Sequence, residues 1–178
     1  MTSSENGPVK SVCIVMLSAL GDTVHVLPVA NALKRAWPDV RISWIIQRTS
    51  KTLVEGHPAI DELIEYERRR RGLRSWTNFA DLGHHVRGQH FDIALALQVY
   101  LKAGIIVGML PAKRKLGFDH ARARDGNWIF TNERISHHSP QHVQDQYFEF
   151  LHHLGVDPEP VEWGIPITDQ EREAHASF

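Results

Sequence analysis

The stretch LSALGDTVHVLP, residues 17–28, sets one carboxylate, Asp22, among small and apolar residues. A carboxylate in such a turn has two uses. It can cap the helix that follows, Asp being a favoured N-terminal cap, or it can point outward to a ligand bound at the edge of the sheet. Position alone leaves both readings open. Ser18, Ala19 and Gly21 let backbone and ligand approach closely, and Gly21 can supply a positive φ. Pro28 would remove a backbone bond inside a helix. The helix is therefore expected to begin nearer Val24 or His25, with Asp22 pointing outward.

Two basic clusters could bind an anion. ERRRRGLR (67–74) and ARAR (121–124) each follow a strand-like run. Guanidinium forks pair bidentately with carboxylate or phosphate, although arginine runs are also ordinary solvated surface. With a formal net charge of −1, the chain has no overall bias towards nucleic acid. A small anionic substrate fits this local clustering better. The paired histidines 84–85, 137–138 and 152–153 do not share a helix face, and no Cys or carboxylate pattern completes a metal site. The lone Cys13 lies in an apolar run and reads as a buried strand thiol.

Strand-length runs must position these groups. VKSVCIVML (9–17) is apolar on both alternate faces, as a central strand covered on both sides requires. VRISWIIQ (40–47), DELIEY (61–66) and FDIALALQ (91–98) follow, with KRKLGF (113–118) as a short fifth. Helix-like segments at 30–37, 49–56, 75–88 and 103–110 alternate with them. That order predicts an α/β fold, a doubly wound and mainly parallel Rossmann-like sheet. Val143, Tyr147, Phe150, Leu151 and Leu154 form an apolar stripe at helical spacing, with Gly155 as the stop. Ligands of such sheets sit beyond the strands' carboxyl ends, where the 18–25 turn belongs. Neither the dinucleotide fingerprint nor a P-loop is present there.

The spacing S-x-x-G-D-x-x-H-x-x-P, from Ser18 to Pro28, resembles the opening motif of the ADP-heptose:lipopolysaccharide heptosyltransferases of glycosyltransferase family nine. Trp37-Pro38, ISWII, HPAIDELI, FDIALALQ with Lys102, KLGFD and the helix opening at His142 follow in the family's order. The resemblance spans about residues 9–165. It implies one half of a GT-B architecture, the N-terminal acceptor-binding domain (9–160). A disordered start (1–8) would precede it, and a linker (161–178) would lead to a C-terminal domain that binds the nucleotide-sugar, ADP-heptose. Asp22 matches the general base of an inverting transfer. Ser18, Gly21, His25, Arg69, Arg70, Gln98, Lys102 and Arg124 match acceptor-binding positions. The implied acceptor is an anionic sugar of the lipopolysaccharide inner core, or another glycan. No metal, other cofactor or nucleic acid is implied, and this half alone would be inactive. The implied location is cytoplasmic, with peripheral association at the inner membrane. Met16, Ala96, Val99 and Ala103 depart from the residues common in relatives.

Two further readings stay open. One is a self-contained Rossmann-like nucleotide-binding enzyme. The other is a non-catalytic module for anionic glycans, in which Asp22 is only a cap.

Overall fold

The computed structural model describes residues 8–66, 75–139 and 141–166, and of 75–78 the backbone alone. The first seven residues of the expected disordered start, Arg69 and Arg70, and residues 167–178 of the expected linker lie outside the described residues.

The apolar runs form six strands: β1 (Ser11–Val15), β2 (Arg41–Ile46), β3 (Glu62–Glu65), β4 (Phe91–Ala96), β5 (Ala112–Gly117) and β6 (Glu133–Arg134). They pair in parallel throughout, in the order β3-β2-β1-β4-β5-β6. Helices α1 (Leu20–Ala36), α2 (Arg48–Val54), α3 (Ser75–Val86), α4 (Leu101–Met109) and α5 (Val143–His153) connect or flank them. The two-sided apolar character of β1 is explained by alternation. Val12, Ile14 and Met16 pack with the layer of α1 and α5, whereas Cys13, Val15 and Leu17 face α3 and α4. All six are buried. The Cys13 thiol is pushed up by burial and by the nearby Glu62 charge, so it stays protonated.

The predicted doubly wound sheet is therefore present, with β1 and β4 adjacent at its centre. The chain leaves β1 towards β2 on one side and returns from β3 to β4 on the other. This reversal opens a crevice at the carboxyl ends of β1 and β4, the ligand position of open α/β sheets.

Some expectations fail. Helix α1 begins at Leu20, ahead of Val24 and His25, and carries Pro28 in its interior. Burial of Pro28 with Val26, Leu27 and Val29 against the sheet outweighs the single backbone bond that proline forgoes. Gly21 keeps an ordinary φ, so no left-handed turn is needed there. Val143 is 36% exposed and is not part of the α5 core stripe, in which Tyr147, Phe150 and Leu151 are buried. Gly155 stops α5 with φ +71°, as its position predicted. The chain beyond α5 is fastened to α1. Arg35 donates to the carbonyls of Asp157, Glu159 and Pro160, and Asn31 to that of Glu162.

Candidate active site at the carboxyl edge of the sheet

The β1–α1 turn is tied to its neighbours by backbone-directed side chains. The Leu17 N–H donates to Gln98 Oε1 at 3.1 Å, and Gln98 Nε2 donates to the Ser18 carbonyl. Both polar ends of Gln98 thus hold the loop that delivers Asp22. The turn after β4 is fixed in the same manner. Asn127 Nδ2 donates to the carbonyls of Gln98 (3.1 Å) and Tyr100 (2.7 Å). On the far side, the Trp44 indole N–H donates to the Met16 carbonyl at 2.9 Å.

Asp22 sits in the first turn of α1. Its Oδ2 accepts from the Ala19 N–H at 3.3 Å, one half of a capping box that Ala19 has no side chain to complete. Among the described residues nothing donates to Oδ1. The capping and outward-facing readings thus describe the same side chain. Asp22 also lines a pocket of about 180 Å³, with Leu97, Gln98, Phe118, Gln146 and Tyr147 among its other walls. Gly21, one residue earlier, is exposed, and a Cβ built there would meet nothing within 4 Å. Among the described residues neither backbone conformation nor packing requires a glycine at that position.

Among the described candidates, His25, Lys102 and Arg124 do not line this pocket. His25 points to α5, its Nδ1 3.0 Å from Gln144 Oε1 and its ring edge-on to His142. Gln144 Nε2 donates to the His25 carbonyl at 2.8 Å. Lys102, in the first turn of α4, places its ammonium 4.4 Å from the centre of the Tyr66 ring. Arg124 is exposed beside Tyr100, its guanidinium carbon 6.0 Å from the ring centre, and its N–H donates to the Val99 carbonyl.

Of the two basic clusters expected at this edge, 67–74 lies outside the described residues, and ARAR is divided. Arg122 is consumed internally, paired with Asp119 and forked onto Glu149. Burial disfavours ionised Asp119, yet bonds from Arg122, His137 and the Ala121 N–H outweigh it and hold its carboxyl below the usual range. Of the ARAR pair, Arg124 alone faces outward.

Tyr147 is the residue that sequence reasoning placed elsewhere. Its helical spacing marked it as core, and at 6% exposure it is buried, but it also forms the pocket wall facing Asp22. Burial first, and the Asp22 carboxylate second, push its phenol up, so it is an O–H donor at any physiological pH. A larger cavity, about 510 Å³, lies between α5 and the segment after β6, and none of the expected site residues lines it. Among the described residues no three His, Cys, Asp or Glu side chains gather as a metal site, and no helix is long and apolar enough to cross a membrane.

Comparison with known proteins agrees with this fold. Residues 79–178 match glycosyltransferase family 9 (heptosyltransferase). The lipopolysaccharide core heptosyltransferase OpsX of Haemophilus influenzae is 32% identical over 162 residues, 91% of this chain and 45% of that protein. Lipopolysaccharide heptosyltransferase 3 of Escherichia coli K12 is 22% identical over 137 residues, 76% of this chain and 40% of that one. Among solved structures, a family 9 glycosyl transferase from Veillonella parvula superposes with a TM-score of 0.80 at 23% identity, covering 96% of this chain and 49% of that chain. The E. coli heptosyltransferase WaaC, solved with ADP, gives 0.74 at 20% identity, over 86% of this chain and 50% of its own. The chain thus spans about half the length of the relatives it matches.

Proposed function

Since the chain belongs to glycosyltransferase family 9, the heptosyltransferases, we propose that its carboxyl edge binds the sugar acceptor of a heptosyl transfer, with Asp22 as general base. The observation that carries this reading is the Asp22 carboxylate itself. It is held by the Ala19 N–H through one oxygen, and its residue lines a pocket at the sheet's switch point.

In this mechanism the acceptor hydroxyl lies against Asp22. As its oxygen bonds to the anomeric carbon of ADP-heptose, the carboxylate takes its proton. The bond from that carbon to the diphosphate breaks on the opposite face, and its electron pair leaves with ADP, inverting the anomeric centre. The fixed loop supplies orientation: Gln98 and Asn127 set the backbone on either side of the reacting hydroxyl before substrate arrives. The donor is held by residues beyond this chain. On this reading Arg124 and Lys102, with Arg69 and Arg70 from the sequence alone, are the cations that bind an anionic inner-core sugar. The reaction belongs to the cytoplasm, at the surface of the inner membrane.

The test is Asp22→Asn in the full-length protein. Transfer from ADP-heptose to a lipopolysaccharide core acceptor should fall by at least about a hundredfold, the scale of general-base loss, with an unchanged circular dichroism spectrum. The Ala19 bond favours one other reading, in which Asp22 is only a cap. On that reading the variant turns over normally and loses only a few tenths of a kcal/mol of stability, because Asn is itself a good cap.

A further inference from the structure

Tyr147 and Asp22 line the same pocket from different helices, and they do not bond to each other. Among the described residues the Tyr147 hydroxyl has no hydrogen-bond partner. The residue is only 6% exposed, yet the fully enclosed unpaired polar atoms are Ser50 Oγ and Arg134 Nε, so the phenol oxygen keeps an opening to solvent. The two groups are also unlike: the phenol donates, while the ionised carboxylate only accepts. A ligand atom seated between them must accept from one and donate to the other. Of common sugar substituents a hydroxyl does both, whereas a carboxylate or phosphate oxygen would face Asp22 with no proton to give. We propose that Tyr147 is a substrate-contacting residue, donating a hydrogen bond to the acceptor hydroxyl whose proton Asp22 removes.

This inference rests on the acceptor-site reading above and adds a selector to it. The phenol holds the hydroxyl oxygen by one lone pair, turns its proton towards Asp22 and leaves the other lone pair for the anomeric carbon. Leu97 and Phe118 give that pocket apolar walls. As the oxygen becomes an ether it loses the negative character gained in the transition state. Tyr147 therefore contributes most to orientation and to the transition state, with no net proton transfer of its own.

The test uses the full-length protein with ADP-heptose and a Kdo-terminated core saccharide, alongside the same saccharide lacking the attacked hydroxyl. Tyr147→Phe removes one oxygen and leaves the ring packing in place. Loss of a neutral hydrogen bond predicts about a tenfold fall in kcat/KM. The deoxy saccharide, as a competitive inhibitor, should bind the wild type and Tyr147→Phe equally. A purely structural role would weaken both ligands alike. In protein labelled at the tyrosine Cζ carbon, the Tyr147 resonance should move with the hydroxylated saccharide and stay still with its deoxy counterpart. Unchanged kcat/KM in Tyr147→Phe, or equal movement with both saccharides, overturns the inference while leaving Asp22 in place. Absence of transfer by the wild type overturns the functional reading and the inference with it.

Discussion

At the scale of single residues, the site is governed by side chains whose polar groups are spent on backbone. Gln98 is the clearest. It matched an acceptor-binding position by resemblance, yet its oxygen and nitrogen are both occupied by the Leu17–Ser18 backbone. Gln98→Leu keeps the volume and removes both bonds, leaving a half-buried N–H and carbonyl unsatisfied. Stability should fall by about 1–3 kcal/mol, and kcat should fall more than KM rises, because the loop carrying Asp22 loses its fixed position. Thermal unfolding and steady-state kinetics on the same preparation check this. A side chain that contacts the acceptor directly would instead raise KM with little change in stability.

How much was legible also differs by residue. The strand before Asp22, and the place of Asp22 at the ligand edge, could be read because small residues after a two-sided apolar run mark the end of a strand. Tyr147 could not be assigned to the pocket, since core packing and pocket lining share one helical period and the sequence does not say which end of α5 meets Asp22. The start of α1 was misjudged for a related reason. A proline penalises a helix locally, but its cost is offset by burial that depends on the whole sheet.

At the scale of elements, two small structures that the sequence did not reveal hold the β4 and β5 ends in place. The first is the short 3₁₀ turn Asn127–Phe130, which packs directly on α4. A Cβ on Gly104 would lie 2.9 Å from Phe130 Cδ2 and 3.1 Å from the Asn127 backbone. Because Asn127 fixes the Gln98–Tyr100 turn, Gly104→Ala should act at a distance. We expect about 1–3 kcal/mol of destabilisation from overpacking, together with reduced transfer, although Gly104 does not line the pocket. An unaltered melting temperature would show that the turn yields freely and does not set the loop.

The second is β6, two residues long and locked by Glu133. Arg114 donates to it through Nε (2.8 Å) and Nη2 (2.6 Å), and His153 Nε2 lies 2.7 Å from Oε1. These partners, Arg114 foremost, hold its carboxyl at about 2 against an ordinary 4.5. A depressed folded-state value stabilises above the unfolded one and is lost as pH falls from 4.5 towards 2. Solvent screening limits the contribution to about 1 kcal/mol. Glu133→Gln should therefore lower stability at neutral pH by that amount and flatten the acid limb between those values, as measured by urea unfolding across pH. A parallel shift of the whole curve would exclude Glu133 as the titrating group.

At the scale of the molecule, the position of Asp22 separates the two substrates of the proposed reaction. In dinucleotide-binding sheets the pyrophosphate rests on the N-terminus of the first helix, where free N–H groups and the helix dipole attract anions. Here that terminus is α1, and its first turn already holds a carboxylate. A diphosphate placed there would meet a negative charge at close range, with no glycine-rich loop to cradle it. Of the described cations near this edge, Arg124 follows β5 beside Tyr100, whereas Lys102 reaches from α4 to the Tyr66 ring at the end of β3. On the proposed reading a saccharide sets a neutral hydroxyl against Asp22, whereas ADP would bring its diphosphate to that carboxylate. In an amide NMR titration of residues 1–178, a Kdo-containing saccharide should shift resonances of Ser18–His25, Leu97–Lys102 and Arg124, whereas ADP should leave them in place. Strong ADP shifts at α1 would mean that this sheet binds nucleotide despite Asp22, and the self-contained nucleotide-binding reading would then replace the acceptor one.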